Sequence, residues 1–271
     1  MAYISTALTA MANAVKKASI ALSRDFNELE HLQSGHNDGR FAQRSYEKVE
    51  KTLKEELAKL KPAYAFISKK EDTIPASGNY FLVAPIDGYA NFAHGNGNFA
   101  VSVAMVENSV VVDAVIYSPV YDELFFAEKG CGAFKEGFRS HERLRVAGAK
   151  IAEQALIGSG ADAELFRKAL SLSKNVQVKG VNSLDLAYLA AGKLDIVASA
   201  DNLPQTIAAG MLLVKEAGGY IVALGETDVR SEDFAKVLFG GALIASNEAL
   251  RKKAADTFAK QQKNLKNSKN K

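Results

Sequence analysis

Ile4, Leu8, Met11, Val15, Ala18, Leu22 and Phe26 recur every three or four residues along the start of the chain. That spacing places them on one face of a helix. The polar stretch Gln33-Ser34-Gly35-His36-Asn37-Asp38-Gly39 breaks the period and predicts a loop. Tyr46, Val49, Leu53, Leu57 and Leu60 then predict a second amphipathic helix, with Pro62 just past its end. The pattern changes in the middle of the chain. Runs at 80–86, 99–106, 110–117 and 123–127 are rich in Val, Phe, Tyr and Ile. Glu107-Asn108 and Ser118-Pro119 punctuate them, which predicts an antiparallel meander. From about residue 150 strand-like and helix-like pieces alternate. Helices are predicted over 184–191 and 207–217 and strands over 220–224 and 242–245, and Asn247 stands where it would cap a last helix.

Composition adds limits to that picture. The chain has 271 residues, 48% of them hydrophobic, enough for one large core or two ordinary ones. Lys and Arg exceed Asp and Glu by 34 to 31, a formal charge of +3. So balanced a chain does not announce a nucleic-acid or membrane protein. No window approaches the roughly 20 apolar residues of a membrane span. The first residues lack a basic segment ahead of their apolar part, so they are read as a helix and not as a signal peptide. Cys131 is the single cysteine, so no intrachain disulfide forms, as expected for a cytoplasmic protein. The tail at 260–271 carries five lysines and no acid. It is expected to be a disordered solubilising tail, and contact with nucleic acid would run only through it. No internal repeat or interdomain linker is visible. Residues 1–259 are read as one domain, with an N-terminal half of about 1–148 and a C-terminal half of about 149–259.

The order of short motifs carries a resemblance. Asp87-Gly88-Tyr89-Ala90-Asn91-Phe92-Ala93-His94-Gly95 resembles the D-G-T-x-N-F-x-H-G segment of the inositol monophosphatase family. Phe99-Ala100-Val101-Ser102-Val103-Ala104 fits the strand that follows it. Tyr117-Ser118-Pro119-Val120-Tyr121-Asp122-Glu123-Leu124-Phe125 is similar to Y-x-P-x-x-D-E-L-F. Ala127-Glu128-Lys129-Gly130-Cys131-Gly132-Ala133-Phe134 is similar to A-E-K-G-x-G-A-F. The stretches at 184–192 and 207–219 resemble two C-terminal segments of the family. The match spans roughly residues 5–258 and is nearest in character to the bacterial extragenic-suppressor subgroup. The resemblance implies a layered α/β/α/β/α sandwich of mixed α+β and α/β character, and a homodimer. It also implies a Mg²⁺-dependent phosphate-monoester hydrolase. Some members of the subgroup contact the transcription machinery, which makes RNA polymerase or antitermination factors candidate partners by analogy.

Mg²⁺ is small, hard and reluctant to dehydrate, so it needs a dense cluster of oxygen ligands. Two or more metals then activate water and neutralise the leaving oxygen. The family's positions are altered here. Its G/M-E-E-S segment aligns with Ser68-Lys69-Lys70-Glu71, so both glutamates, one of them a ligand, are lysines. Its D-P-[IL]-D-G-T segment aligns with Ala84-Pro85-Ile86-Asp87-Gly88-Tyr89. The bridging aspartate is thus Ala84 and the water-positioning threonine is Tyr89. Asp87 and the carbonyl of Ile86 remain as a remnant metal site. The P-W-D segment aligns with Pro204-Gln205-Thr206, which puts Thr206 at an aspartate ligand. A further acidic position is Tyr46, and the substrate-contacting glutamate is Ser199. Four family side chains carrying about four negative charges become Lys69, Ala84, Asp87 and Thr206, which sum to about zero. The expectation is a protein whose catalysis is lost, needing no cofactor, with Mg²⁺ relevant only to residual activity.

Several readings of these residues stay open at this point. Asp87 holds one weak metal, or it pairs with Lys69 or accepts hydrogen bonds from its own turn. Glu71 or Asp72 replaces a lost ligand through a slip of the loop. Gly88, Tyr89 and Lys69 form an anion site with Asn91 nearby, or the turn serves the fold alone. Cys131 reads as a small turn residue. His31, His36, His94 and His141 lack ligand spacing, and His94 matches the family pattern in a structural role.

Overall fold

The computed structural model describes residues 4–31, 39–75, 77–226, 228 and 233–259. Two helices, α1 (Thr6–His31) and α2 (Arg40–Leu60), open the fold. A seven-stranded sheet follows in order β1-β2-β3-β4-β5-β6-β7. Its strands are β1 (Ala65–Ile67), β2 (Tyr80–Asp87), β3 (Ala100–Glu107), β4 (Val110–Ser118), β5 (Glu123–Glu128), β6 (Gly132–Lys135) and β7 (Glu142–Arg143). A five-residue helix, α3 (Tyr89–Ala93), leaves the end of β2. The meander is antiparallel as predicted, with one addition: β1 pairs in parallel on the outer side of β2. At three residues it is too short to show a period.

The C-terminal half holds a second sheet in order β11-β12-β10-β8-β9. It is built from β8 (Ile157–Ser159), β9 (Val176–Gln177), β10 (Ile196–Ser199), β11 (Tyr220–Ala223) and β12 (Leu243–Ser246). The helices here are α4 (Ala163–Leu172), α5 (Asn182–Ala190), α6 (Pro204–Glu216), α7 (Phe234–Gly240) and α8 (Glu248–Ala259). α6 begins ahead of its predicted start because Pro204 suits the first turn, where its missing N–H leaves no bond unmade. Asn247 caps α8 as expected, its Oδ1 accepting from the Leu250 N–H at 2.9 Å.

Burial explains the layering. Side chains alternate across the strands of the first sheet. Phe81, Val83, Val101, Val103 and Val115 pack against Leu8, Met11, Leu22, Val49 and Leu53 of α1 and α2. On the opposite face Leu82, Ala104, Ala114, Ile116 and Phe125 pack against α5 and α6, which also touch Val197, Ile221 and Leu243 of the second sheet. The outer face of that sheet is closed by Leu165, Ala169, Leu250, Ala254 and Phe258 of α4 and α8. The result is the expected α/β/α/β/α sandwich. Both central helices are buried along most of their length, as befits elements covered by sheets on both sides. They pack so closely that a Cβ on Gly210 would lie 2.5 Å from the Leu186 Cβ. Among the described residues, no helix is long and apolar enough to cross a membrane.

Asp113 is one of several buried polar residues with an unpartnered side-chain atom in this core. Asp113 is buried and lies directly across from Glu128 in the β4–β5 ladder. Burial first, and then Glu128 and Glu107, push its carboxyl up to about 7. An unfolded aspartate titrates near about 3.9, so the folded protein holds this proton through mildly acidic pH. The stability it contributes is complete below about pH 4 and is lost as the pH rises through about 7. Asp113→Asn is therefore expected to raise the Tm by roughly 2–4 °C at pH 8, about 1 kcal/mol. Thermal melts below about pH 4 should show little difference between the two proteins.

Candidate functional site

The site forms where β2 ends. Ala84 pairs with Ser102 and Asp87 with Ala100, so β2 carries one extra residue between these pairs. This bulge falls at Pro85-Ile86, a place where a proline is tolerated in a sheet. It reverses the alternation. Ile86 joins the core under α1 and α2, while Asp87 reaches the N-terminus of α5.

Asp87 is buried, and it accepts a 2.8 Å hydrogen bond from the Ser183 backbone N–H. Ser183 lies in the first turn of α5, and Val181 at that helix's N-cap has no side-chain oxygen to offer. Asp87 therefore caps α5 from a distant strand, satisfying a free N–H and placing a carboxylate at the positive end of the helix. Burial pushes its carboxyl up to about 6 against the pull of bonds from Ser183 and Gly88. Of the expectations for Asp87, hydrogen bonding is thus found, and its partners include the next residue in the turn. The alternative pairing with Lys69 is corrected. The Lys69 ammonium lies 3.7 Å from Glu50 on α2.

Two of the altered positions touch, and the others bond to their own surroundings. The rings of Tyr46 and Tyr89 meet edge-on, with centroids 6.2 Å apart. The Tyr46 hydroxyl lies 3.4 Å from the Ser68 carbonyl, and burial, Glu50, Asp72 and Glu71 push it up to about 12. Ser68 and Lys69 both donate backbone N–H groups at 2.8 Å to one oxygen of Asp72. The Lys69 carbonyl accepts from Gln205 Nε2 at 2.9 Å, which ties this loop to the start of α6. Thr206 donates its hydroxyl to the Leu203 carbonyl within its own first turn. Ser199 Oγ lies 2.8 Å from the Asn182 and 2.7 Å from the Asn202 side-chain oxygen.

The remaining sequence candidates hold structural positions. Gly88 has φ 84 and starts α3. Asn91 donates to the Asn98 and Lys179 carbonyls at 2.8 Å each. The His94 ring bonds the Ala90 carbonyl at 2.7 Å, and His141 meets Phe126 edge-on. His31 ends α1, and His36 and the 260–271 tail lie outside the described residues. Cys131 is exposed. The roles of Gln205, in the tryptophan position, and of Glu50, outside every motif, were missed in the sequence; only the tertiary contacts reveal them.

This donor set does not fit Mg²⁺. Asp87 is spent on α5, Asp72 on its own loop and Glu50 on Ser68 and Lys69. Asp185, buried near Asp87, is pushed up to about 7, first by burial, and Ala84, Tyr89 and Thr206 offer no carboxylate. Among the described residues no three His, Cys, Asp or Glu side chains are grouped to hold a metal ion.

The architecture has a close counterpart among solved structures. The extragenic suppressor protein suhB from Bartonella henselae superposes with a TM-score of 0.81 at 32% identity, covering 95% of this chain and 100% of that one. The inositol monophosphatase family model matches residues 3–266, so the chain belongs to that family. Relatives of more than one kind are similar to it. An inositol-1-monophosphatase from Rhizobium meliloti is 36% identical over 92% of this chain and 94% of its own length. Nus factor SuhB from Xylella fastidiosa is 32% identical over 79% of this chain and 81% of its own.

Proposed function

We propose that this chain keeps the inositol monophosphatase scaffold without Mg²⁺-dependent hydrolysis and acts by binding a partner. The observation that carries this reading is the joined replacement at the site. Tyr46 packs on Tyr89, Ala84 and Thr206 offer no carboxylate, Lys69 turns to Glu50, and Asp87 caps α5. Asp87, Glu50 and Asp72 each have a partner in the fold in place of a metal. Relatives named Nus factors support a partner in the transcription machinery, bound by a homodimer of this chain in the cytoplasm. A second reading, a working phosphatase, draws support from the relatives named inositol-1-monophosphatase.

Phosphate release from inositol monophosphate separates the two. With millimolar Mg²⁺ the purified protein should release none above the buffer rate, and Mg²⁺ titration should give no binding heat. Mg²⁺-dependent release that disappears in Asp87→Ala would overturn the proposal in favour of the phosphatase. Gel filtration with purified RNA polymerase and its Nus factors tests the partner, and failure to co-elute at micromolar concentration would remove that part.

A further inference from the structure

α2 and the 68–72 loop enclose a cavity of about 280 Å³, walled by Lys51, Lys54 and Lys69 with the ring of Phe66. Ser68, Glu50 and Asp72 complete its lining. Both carboxylates are already engaged. Glu50 accepts from the Ser68 hydroxyl and faces Lys69, and Asp72 accepts two backbone N–H groups. Lys51 and Lys54 are exposed and stand one helical turn apart, which puts them on one face of α2. Neither has an ion-pair partner among the described residues. Three ammonium groups against two hydrogen-bonded carboxylates leave an unbalanced positive charge around a concave surface.

We propose that this cavity binds a small inorganic polyanion, pyrophosphate. Lysine ammonium groups are point charges with three rotatable donors, suited to phosphate oxygens from several directions. The volume is at the small end of ligand pockets, which favours a compact anion over a larger molecule. The charge is supplied by lysines, so binding needs no metal. The site uses neither Asp87 nor Tyr89, and it stands whether or not the chain hydrolyses phosphate esters.

The test is calorimetric titration of the full chain with inorganic pyrophosphate, in EDTA and near-physiological salt. One ion should bind per chain, and Lys51→Gln/Lys54→Gln should weaken binding tenfold or more. Lys252→Gln/Lys253→Gln removes the same charge from exposed positions on α8 and should leave the affinity within twofold. Thermal melts of both double variants check that they fold. Absence of pyrophosphate heat in the parent chain would overturn the proposal. So would undiminished binding in Lys51→Gln/Lys54→Gln, or equal weakening in both pairs, which marks a diffuse effect of net charge.

Discussion

A variant carrying Tyr46→Asp, Lys69→Glu, Ala84→Asp, Tyr89→Thr and Thr206→Asp is expected to acquire Mg²⁺ binding that the parent chain lacks. Removing the two tyrosines opens the space that their rings share, and four carboxylates return to the positions that the family's ligands occupy. Without metal these like charges repel one another at close range, so the variant should melt below the parent. Mg²⁺ binds only the folded state, and at about 100 times its dissociation constant it returns about 2.7 kcal/mol. That corresponds to a Tm gain of roughly 5–10 °C for a chain of this size. Thermal melts with and without Mg²⁺ read it directly. The parent chain should show no such gain. An equal gain in the parent would mean that Asp87 and its neighbours already hold the ion. No change in the variant would mean that more than these five positions has diverged.

Gly88→Ala is expected to be the most damaging single methyl addition near the site. Gly88 has φ +84, and an added Cβ would lie 2.7 Å from the Asn98 carbonyl oxygen and 2.8 Å from Val181 Cγ2. The closest of these atoms is backbone and the other sits at the N-cap of α5, so neither yields easily. Left-handed strain of about 1–2 kcal/mol adds to an overpacking term of about 1–3 kcal/mol. A Tm loss of roughly 5–15 °C follows. Gly130→Ala provides the comparison. Its φ is +78 but nothing lies within 4 Å of its added Cβ, so it should carry the strain term alone. Equal losses in the two variants would show that crowding around Gly88 is relieved by movement of the turn.

The longer strands were legible in the sequence, and the four-residue β11 and β12 were placed as well, at 220–224 and 242–245. β2, β3, β4 and β5 run for six to nine residues and were bounded to within one residue or two. β8, β9 and β10 run for two to four residues and derive their order from neighbours far along the chain. No local pattern announces them. At the site, the motifs singled out Ala84, Asp87, Tyr89, Lys69 and Thr206 but did not say where their side chains go. The partner of Asp87 lies 96 residues away in sequence, and the bulge that turns Asp87 towards it depends on pairing with β3. Lys69 was misplaced for a similar reason. Its proximity to Asp87 in the family alignment suggested a pair, but Glu50 on α2 is the carboxylate within reach.

The loop around Cys131 has a practical consequence. Glu216 on α6 accepts from the Gly130 N–H at 2.7 Å and the Gly132 N–H at 2.9 Å, so the backbone on each side of the cysteine is anchored to the central helix layer. The thiol itself is exposed and is the only one in the chain. Burial and then Glu128, Glu216 and Asp113 push its pKa up, so it reacts slowly at neutral pH and is best modified under mildly alkaline conditions. A spin label or fluorophore placed there would ride on a rigid mount at one defined position. Two copies in a homodimer would yield a single inter-label distance, and a labelled chain would report where an assembled partner sits without a substitution anywhere in the protein.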